Sequence, residues 1–290
     1  MRTWNKLAAR ILLAGLLVVL GVSTPSAHAQ ASAMPSAQSG SELPNADRGR
    51  KLLDQMLAAL GGQAWLNRKF WEIDGSTGAF YKGQPDPYVV GFEEYYRAQP
   101  FGERVVYVSH IATLAILGLP GSNHRDEAVV WMPDTGYQVT FKGKEPLPQK
   151  DVEEFLRRRA HSLETVMEWL KQPDVIVTYE GPTTVERRMA EKVSVITASN
   201  DAVTIELDAN THLPLARAYE YRDPVYKDIN HDVEEYENYQ PVQGIMTPYI
   251  VTRFHNGELV GQRFVTKVKY EDTLPASMFD PNLPIQKKPK

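Results

Sequence analysis

The side chains in this sequence that could do chemistry are histidines and carboxylates, because the chain contains no cysteine. Two short segments bring them together: NHRDE at 123–127 and NHDVEE at 230–235. A histidine beside carboxylates could hold a metal ion weakly, but both segments have the polar composition of solvated loops. Because no HExxH pair or similar spacing is present, the sequence predicts no metal site and no cofactor.

Signatures of enzymes are also missing from the sequence. It contains no GxSxG, GxGxxG or P-loop motif, and without cysteine there is no thiol nucleophile. Acidic neighbours such as Glu93-Glu94 and Glu234-Glu235 direct their carboxylates to opposite faces of a strand, so we interpret them as surface charge. The sequence favours a protein that is not an enzyme, with a hydrolase assembled from dispersed residues as the less favoured alternative.

The N-terminal segment is typical of an exported protein. Three basic residues within the first ten precede the apolar run at 11–22, and AHA at 27–29 supplies a small-x-small cleavage motif. The run is shorter than the roughly 20 residues of a membrane span, so an uncleaved anchor is the less favoured alternative. With no cysteine for lipid attachment, we expect the mature chain to be periplasmic or secreted.

Composition divides the chain into four predicted segments. These are a signal peptide at 1–29, a flexible leader at 30–46, one folded domain at 47–284 and a tail at 285–290. The formal net charge is −4. Because nucleic acid requires a basic surface, it is not an expected partner.

Hydrophobic periodicity predicts the elements of the folded domain. Amphipathic helices are expected at 47–60 and 151–171, and the period-two segments between and after them predict strands. One pair of strands is a hairpin, EAVVWMPDTGYQVTF at 127–141. This order predicts an α+β fold with one large antiparallel sheet of about ten strands. The uncharged stretch at 110–121 is either a buried element or a hydrophobic flap over a cavity mouth.

The last hairpin, TRFHNGELVGQRF, determines which side chains share a face. A two-residue loop at 256–257 would mix apolar and charged residues on one face. A three-residue loop instead pairs Phe254 with Val260 and Ile250 with Phe264. Because a one-residue slip turns every side chain over, we predict the three-residue loop. It gives an apolar inner face and a solvated face with the basic residues Arg253, His255, Arg263, Lys267 and Lys269.

Tyrosines extend the predicted inner face, since Tyr219 and Tyr221 alternate on one strand. Tyrosine suits a boundary between apolar and aqueous surroundings, because its ring can be buried while its hydroxyl needs a partner. Such a face could line the cavity of an amphiphile, or the two helices could simply cover it. The candidate cavity-lining residues are Tyr219, Tyr221, Ile250, Phe254, Phe264 and Val268.

The order of these motifs resembles a known family. An LLDQMLAALGG helix, EAVVWMPDTGYQVTF, LDANTHLPLARAYEY and a final segment ending in ASMFD follow one another. They are similar to the LolA/LolB-like superfamily of outer-membrane lipoprotein-sorting carriers, in which a W-x-P hairpin, a D-x-x-T-x-L-P-L strand and an F-D-P ending occupy similar places. The resemblance implies a strongly curved antiparallel sheet, an incomplete β-barrel, with helices packed on its concave face as a lid. No family residue that drives lipoprotein release is matched here, so none is carried over.

The predicted function follows from this resemblance and from the apolar face. We expect periplasmic, non-covalent binding or transport of a lipid, a lipoprotein acyl chain or another hydrophobic ligand. Transient membrane contact and envelope proteins are further candidate partners. The alternative is a ligand-free structural or interaction module of the cell envelope, whose sheet is filled by its own side chains.

Overall fold

A computed structural model describes residues 45–111 and 122–285 of the chain. The predicted signal peptide, nearly all of the leader, most of the apolar stretch at 110–121 and the end of the tail lie outside the described residues. Within these ranges the helices are α1 (Asn45–Leu60), α2 (Gln63–Asn67), α3 (Gln149–Ala160) and α4 (Leu163–Trp169), with a 3₁₀ turn at Ala276–Phe279.

Strands make up more than half of the described residues. They are β1 (Phe70–Tyr81), β2 (Gln84–Arg97), β3 (Gly102–Ile111), β4 (Ser122–Trp131), β5 (Gly136–Thr140), β6 (Gly143–Pro146), β7 (Ile176–Val185), β8 (Arg188–Ile196), β9 (Ala202–Asp208), β10 (Pro214–Arg222), β11 (Ile229–Val242), β12 (Ile245–His255) and β13 (Glu258–Glu271). The predicted hairpin at 127–141 corresponds to β4 and β5 and is confirmed.

These thirteen strands of the described ranges form one antiparallel sheet. Its order is β6-β5-β4-β3-β2-β1-β13-β12-β11-β10-β9-β8-β7, so β1 and β13 pair at the centre while β6 and β7 are the edges. The sheet is not closed, because no pairing joins the two edges within the part of the chain described. Bulges interrupt several pairs, and since bulges bend and twist strands, the sheet is consistent with an incomplete barrel. The predicted α+β fold with one large antiparallel sheet is confirmed.

Helices α3 and α4 connect the two edges of the sheet. The chain leaves edge strand β6, forms both helices and then enters the opposite edge strand β7. Contacts with β4 and β10 show that these helices lie over the sheet on the way: Phe155 stacks on Trp131 with centroids 4.0 Å apart, and His161 stacks on Tyr219 at 4.3 Å. We call the side of the sheet that bears these contacts the helix-facing side.

Helix α1 packs on β7 and β8 through its apolar stripe. Leu53, Met56 and Leu60 are at most 2% exposed, and they recur at the helical spacing that places them on one side. The helix can approach the sheet closely because residue 49 is glycine. A Cβ at Gly49 would lie 2.9 Å from Cγ1 of Val177. Helix α1 thereby becomes part of a core cluster that also includes α4 and strands β7–β9.

The prediction of one helix at 151–171 is wrong, because the chain breaks at His161-Ser162. Ser162 caps α4 by accepting a hydrogen bond from the Thr165 backbone N–H at 3.2 Å. The Nδ1 atom of His161 lies 2.7 Å from the Arg157 carbonyl oxygen, and Arg217 donates to the His161 carbonyl. These side chains satisfy backbone groups that a helix end leaves free, while the apolar periodicity continues across the break.

The three-residue loop predicted for the last hairpin is also wrong. The loop consists of Asn256 and Gly257, which have φ values of 51° and 79°, as two-residue type I′ turns require. A bulge then follows at Val260, opposite the Arg253-Phe254 peptide. Because the bulge adds one residue, the predicted pair of Ile250 and Phe264 forms all the same.

The faces of this hairpin are reversed relative to the prediction. Val251 and Arg263 pair and line a cavity on the helix-facing side. Side chains alternate along a strand, so the neighbouring pair of Ile250 and Phe264 lies on the other side, where Phe264 is 40% exposed. Arg253 is two residues from Val251 along β12, so it faces the helices as Arg263 does.

A second bulge, at Thr266, reverses the alternation of β13 again. Val268 consequently pairs with Ile73 and is buried. Lys267 and Lys269 lie on the opposite side, where their side chains are 61% and 53% exposed. Their predicted solvated position is confirmed.

Candidate ligand-binding site

Three cavities lie side by side between the helices and the sheet. The largest, with a volume of about 760 Å³, lies between α3 and strands β10–β13. Two smaller cavities of about 250 Å³ each lie near α4 and near the end of α3. All three have Arg217 and Glu234 in their walls. The largest has the size of a typical small-molecule site.

Arg217 of β10 fastens the corner between α3 and α4 to the sheet. Its Nη2 donates to Glu234 Oε2 at 2.5 Å and its Nε donates to the Tyr236 hydroxyl at 3.0 Å. Its Nη1 donates to the carbonyl oxygens of Arg158 and His161. Burial raises the pKa of Glu234, but the charge and hydrogen bond of Arg217 outweigh it and lower that pKa to about 2. The ion pair of Arg217 and Glu234 thus lies where the three cavities meet.

A second ion pair lies on the central strands. Arg263 of β13 contacts the carboxylate of Glu94, which is 5% exposed and also accepts a hydrogen bond from Trp71 Nε1 at 3.2 Å. Trp71 stacks on Tyr96 with ring centroids 3.6 Å apart. The interpretation of both acidic pairs as surface charge is therefore wrong for Glu94 and Glu234, whose partners lie on the helix-facing side.

Glu103 of β3 lines the small cavity near the end of α3. Burial and the nearby charge of Glu94 raise the pKa of Glu103 to about 8, although Arg263 and Arg158 act in the opposite direction. A substantial fraction of Glu103 is therefore protonated at neutral pH.

One side of the largest cavity is an aromatic and carboxylate cluster. Tyr219 stacks on the His161 ring and donates its hydroxyl to Asp232 Oδ2 at 2.9 Å. Asp232 Oδ1 also lies 2.6 Å from Nδ1 of His255, whose Nε2 faces the side-chain amide of Asn256 at 3.3 Å. Nucleophilic catalysis would need a hydroxyl or thiol at this ring nitrogen. The described residues that line this cavity include no serine, threonine or cysteine.

Arg253 of β12 also lines the largest cavity. Its guanidinium lies over Gly261, where a Cβ would approach Nη2 to 3.2 Å. Burial and the charge of Arg158 lower the pKa of Arg253 to about 10. The group is thus partly withdrawn from water and lies near other cations.

The structure brings together two of the six predicted lining residues, since Tyr219 and Tyr221 line the largest cavity. Phe254 borders the same cavity, but its alternation with Arg253 places its side chain on the face of Ile250. Val268 is buried against the central strands. As described for the hairpin, Ile250 and Phe264 lie on the opposite side of the sheet.

Sequence reasoning missed the charged part of this site. Arg217 precedes Tyr219 by two residues, and Glu234 follows Asp232 by two, so period-two alternation places each on the cavity side. That signal was available in the sequence. We did not use this alternation because we expected charged residues to face solvent. That expectation fails when charged residues are paired.

The histidine segments do not form a metal centre in the described part of the chain. No group of three or more His, Asp or Glu side chains there could hold a metal ion. The imidazole of His231 is exposed, and the side chains of Asn123, His124 and Asp126 lie outside the description. Among the helices that the structure describes, none is both long and apolar enough to cross a membrane.

The open antiparallel sheet with helices over one side is similar in fold to a solved domain assigned to outer membrane lipoprotein sorting, so the fold resemblance predicted from the sequence is confirmed. The sequence matches no family model and no curated protein. A domain assigned to outer membrane lipoprotein sorting from Vibrio parahaemolyticus has a TM-score of 0.52 and 10% identity, covering 82% of this chain and 98% of that chain. A LolA superfamily protein from Nitrosomonas europaea has a TM-score of 0.47 and 9% identity, covering 80% and 96% of the two chains.

Proposed function

We propose that this protein binds a lipid, a lipoprotein acyl chain or another hydrophobic ligand non-covalently in its largest cavity. The observation that carries the proposal is the cavity itself, about 760 Å³ beneath α3, with Tyr219 and Tyr221 in its wall. Burial of apolar ligand surface would supply about 25 cal/mol per Å². A small number of polar groups would then orient the ligand.

In this proposal the helices are the cover of the cavity. Helices α3 and α4 pack on the concave face of a curved sheet, an arrangement supported by their course from one sheet edge to the other. Ligand entry requires them to move. Since Arg217 joins their corner to Glu234 and Tyr236, this contact is where the cover is held.

The proposed place of action is the periplasm or the medium, reached by cleavage of the signal peptide predicted at 1–29. The protein acts there as a binding protein and not as an enzyme. Transient membrane contact is supported by Val225 and Tyr226, which are 74% and 78% exposed and also line the largest cavity.

The first test is native mass spectrometry and solvent extraction of mature protein purified from a bacterial host with intact membranes. We expect co-purified acyl species. A Val260→Trp substitution puts a large ring into the cavity wall and should lower affinity for the neutral dye N-phenyl-1-naphthylamine about tenfold or more, a loss of about 1.4 kcal/mol or more. The matched control is Val89→Trp, at a position 63% exposed on β2, which should bind like the wild type.

A ligand-free interaction module is the second candidate. It is favoured by strands β7–β9, where the protein's own side chains fill the space beneath α1 and α4 and leave residues such as Met56, Val193 and Ile205 with no exposed surface. Protein that carries no extractable lipid and does not bind the dye would support this candidate and contradict the carrier.

A further inference from the structure

Arg253 differs from the other arginines that the sheet places on its helix-facing side, because among the described residues no carboxylate forms an ion pair with it. The other two arginines of this side of the sheet are satisfied: Arg217 contacts Glu234, and Arg263 contacts Glu94. Arg253 lines the cavity but carries a charge that no side chain in the described ranges neutralises by direct contact.

The carboxylates in the same wall each already have a partner. Asp232 accepts from Tyr219 and faces His255, and Asp223 accepts from the backbone N–H groups of Val225 and Tyr226 at 2.7 Å each. The remaining contacts join Glu234 to Arg217, Glu154 to Arg158 and Glu153 to Gln149. None of them is left over for Arg253.

Two other cations of the wall also lack an ion-pair partner in the described chain. Arg157 lies over the Tyr221 ring at 3.7 Å, and Lys150 is exposed at the start of α3. Neither has a carboxylate in ion-pair contact within the described chain. The formal charges of the wall balance, but the cavity combines aromatic side chains with cations that no described carboxylate contacts, and the nearby charge of Arg158 acts on Arg253 as well.

We infer that the ligand of this cavity is an amphiphile with an anionic head group, which Arg253 binds while Tyr219 and Tyr221 contact its apolar part. This inference rests on the proposed function and specifies the class of ligand. A guanidinium forms strong, charge-assisted hydrogen bonds with carboxylate or phosphate oxygens. An anion at this position would make the direct ion-pair contact that no described carboxylate makes with Arg253.

Two dyes with the same anilinonaphthalene core test the inference. N-phenyl-1-naphthylamine is neutral, whereas 8-anilinonaphthalene-1-sulfonate carries one negative charge. Arg253→Met, which keeps an apolar stem and removes the guanidinium, should weaken binding of the sulfonate about tenfold, since hydrogen bonds to charged groups are stronger than those between neutral groups. Its affinity for the neutral dye should stay within about twofold.

The matched control is Arg222→Met, which removes the same charge from an exposed position at the end of β10. It should leave both affinities unchanged. Equal losses for both dyes in Arg253→Met, or an equal loss of the sulfonate in Arg222→Met, would overturn the inference while leaving the carrier function intact. If neither dye binds the wild-type protein, the proposed function itself fails.

Competition separates an amphiphile from a free anion. Dodecanoate should displace the sulfonate dye from the wild-type protein, whereas acetate at the same concentration should not. Displacement by acetate alone, or by both equally, would contradict an amphiphilic ligand. Rising NaCl concentration should weaken sulfonate binding by the wild type more than by Arg253→Met. If the methionine variant does not fold, the same salt comparison is made with Arg253→Gln.

Discussion

Two regions of one sheet show how the same alternation of side chains can produce opposite interiors. The dry region consists of α1, α4 and the helix-facing side of β7–β9. The hollow region consists of α3 and the helix-facing side of β1–β3 and β10–β13. In the dry region most of the alternate positions are aliphatic, and Val193, Val195 and Ile205 have no exposed surface. In the hollow region the equivalent positions hold Arg217, Glu234 and other charged or aromatic groups, and three cavities remain.

The difference teaches which region stabilises the fold and which is available for function. Close-packed aliphatic side chains interdigitate and leave no space for a ligand. Charged side chains that must meet their partners cannot fill space as freely, because each pair requires a particular geometry. The hollow region therefore depends on ion pairs for its cohesion, and the dry region depends on apolar burial.

The largest expected effect comes from breaking the main ion pair of the hollow region. Arg217→Met leaves Glu234 buried without its partner, so we expect a loss of about 3–5 kcal/mol in the free energy of unfolding. The double variant Arg217→Met/Glu234→Leu should recover much of that loss, because no unpaired charge remains. Urea unfolding of the three proteins measures both, and a single variant as stable as the wild type would contradict the proposed role of Arg217.

A matched pair of methionines compares the two regions directly. Met56 is fully buried in the dry region, so Met56→Ala should cost about 2–5 kcal/mol through lost burial and a new cavity. Met246 is partly buried and lines a small cavity of the hollow region. Met246→Ala should cost less than about 1.5 kcal/mol, since space already exists beside it. Equal losses by chemical denaturation would mean that the regions do not differ in packing.

The turn that sets the register of the last hairpin gives a smaller effect. Gly257 has a φ of 79°, and Gly257→Ala should cost about 1 kcal/mol because a Cβ disfavours this left-handed conformation. Gly257→Asn should cost less, since asparagine tolerates the same conformation. Thermal unfolding of both variants measures the difference, and an alanine variant at least as stable as the asparagine variant would argue against the two-residue turn.

The smallest effect is a change in pH dependence in the hollow region. The pKa of Glu103 is about 8 in the folded protein, above its ordinary value, so the folded state binds the proton more tightly. Its contribution to stability is present below about pH 4.5 and is lost as the pH rises through 8. Glu103→Gln should remove this loss, so that its urea midpoint falls less than that of the wild type between pH 5 and 8.5. Because Glu103 is only partly buried, solvent screening reduces the size of this effect. Identical pH profiles for the two proteins would contradict the raised pKa of Glu103.

Local patterns determined much of the architecture. The stripe of Leu52, Leu53, Met56 and Leu60 specified a helix that must be covered, because its spacing matches 3.6 residues per turn. The period-two segments specified a sheet, and the order of both specified an antiparallel α+β fold. By contrast, the break at His161-Ser162 was not predicted, since apolar periodicity continues through it and the stabilising donor, Arg217, is far away in the sequence.

What the sequence by itself determined is the set of elements, their order and the aromatic character of the strands that contain Tyr219 and Tyr221. What only the tertiary structure decided is which face of the last hairpin points toward the helices. One bulge at Val260 and another at Thr266 each reverse the alternation, and a local pattern cannot locate an inserted residue whose position is set by the neighbouring strand. The burial of Arg253 and Arg263 has the same origin, because a charged residue can lie inside only where distant parts of the chain bring a partner or leave a space for one.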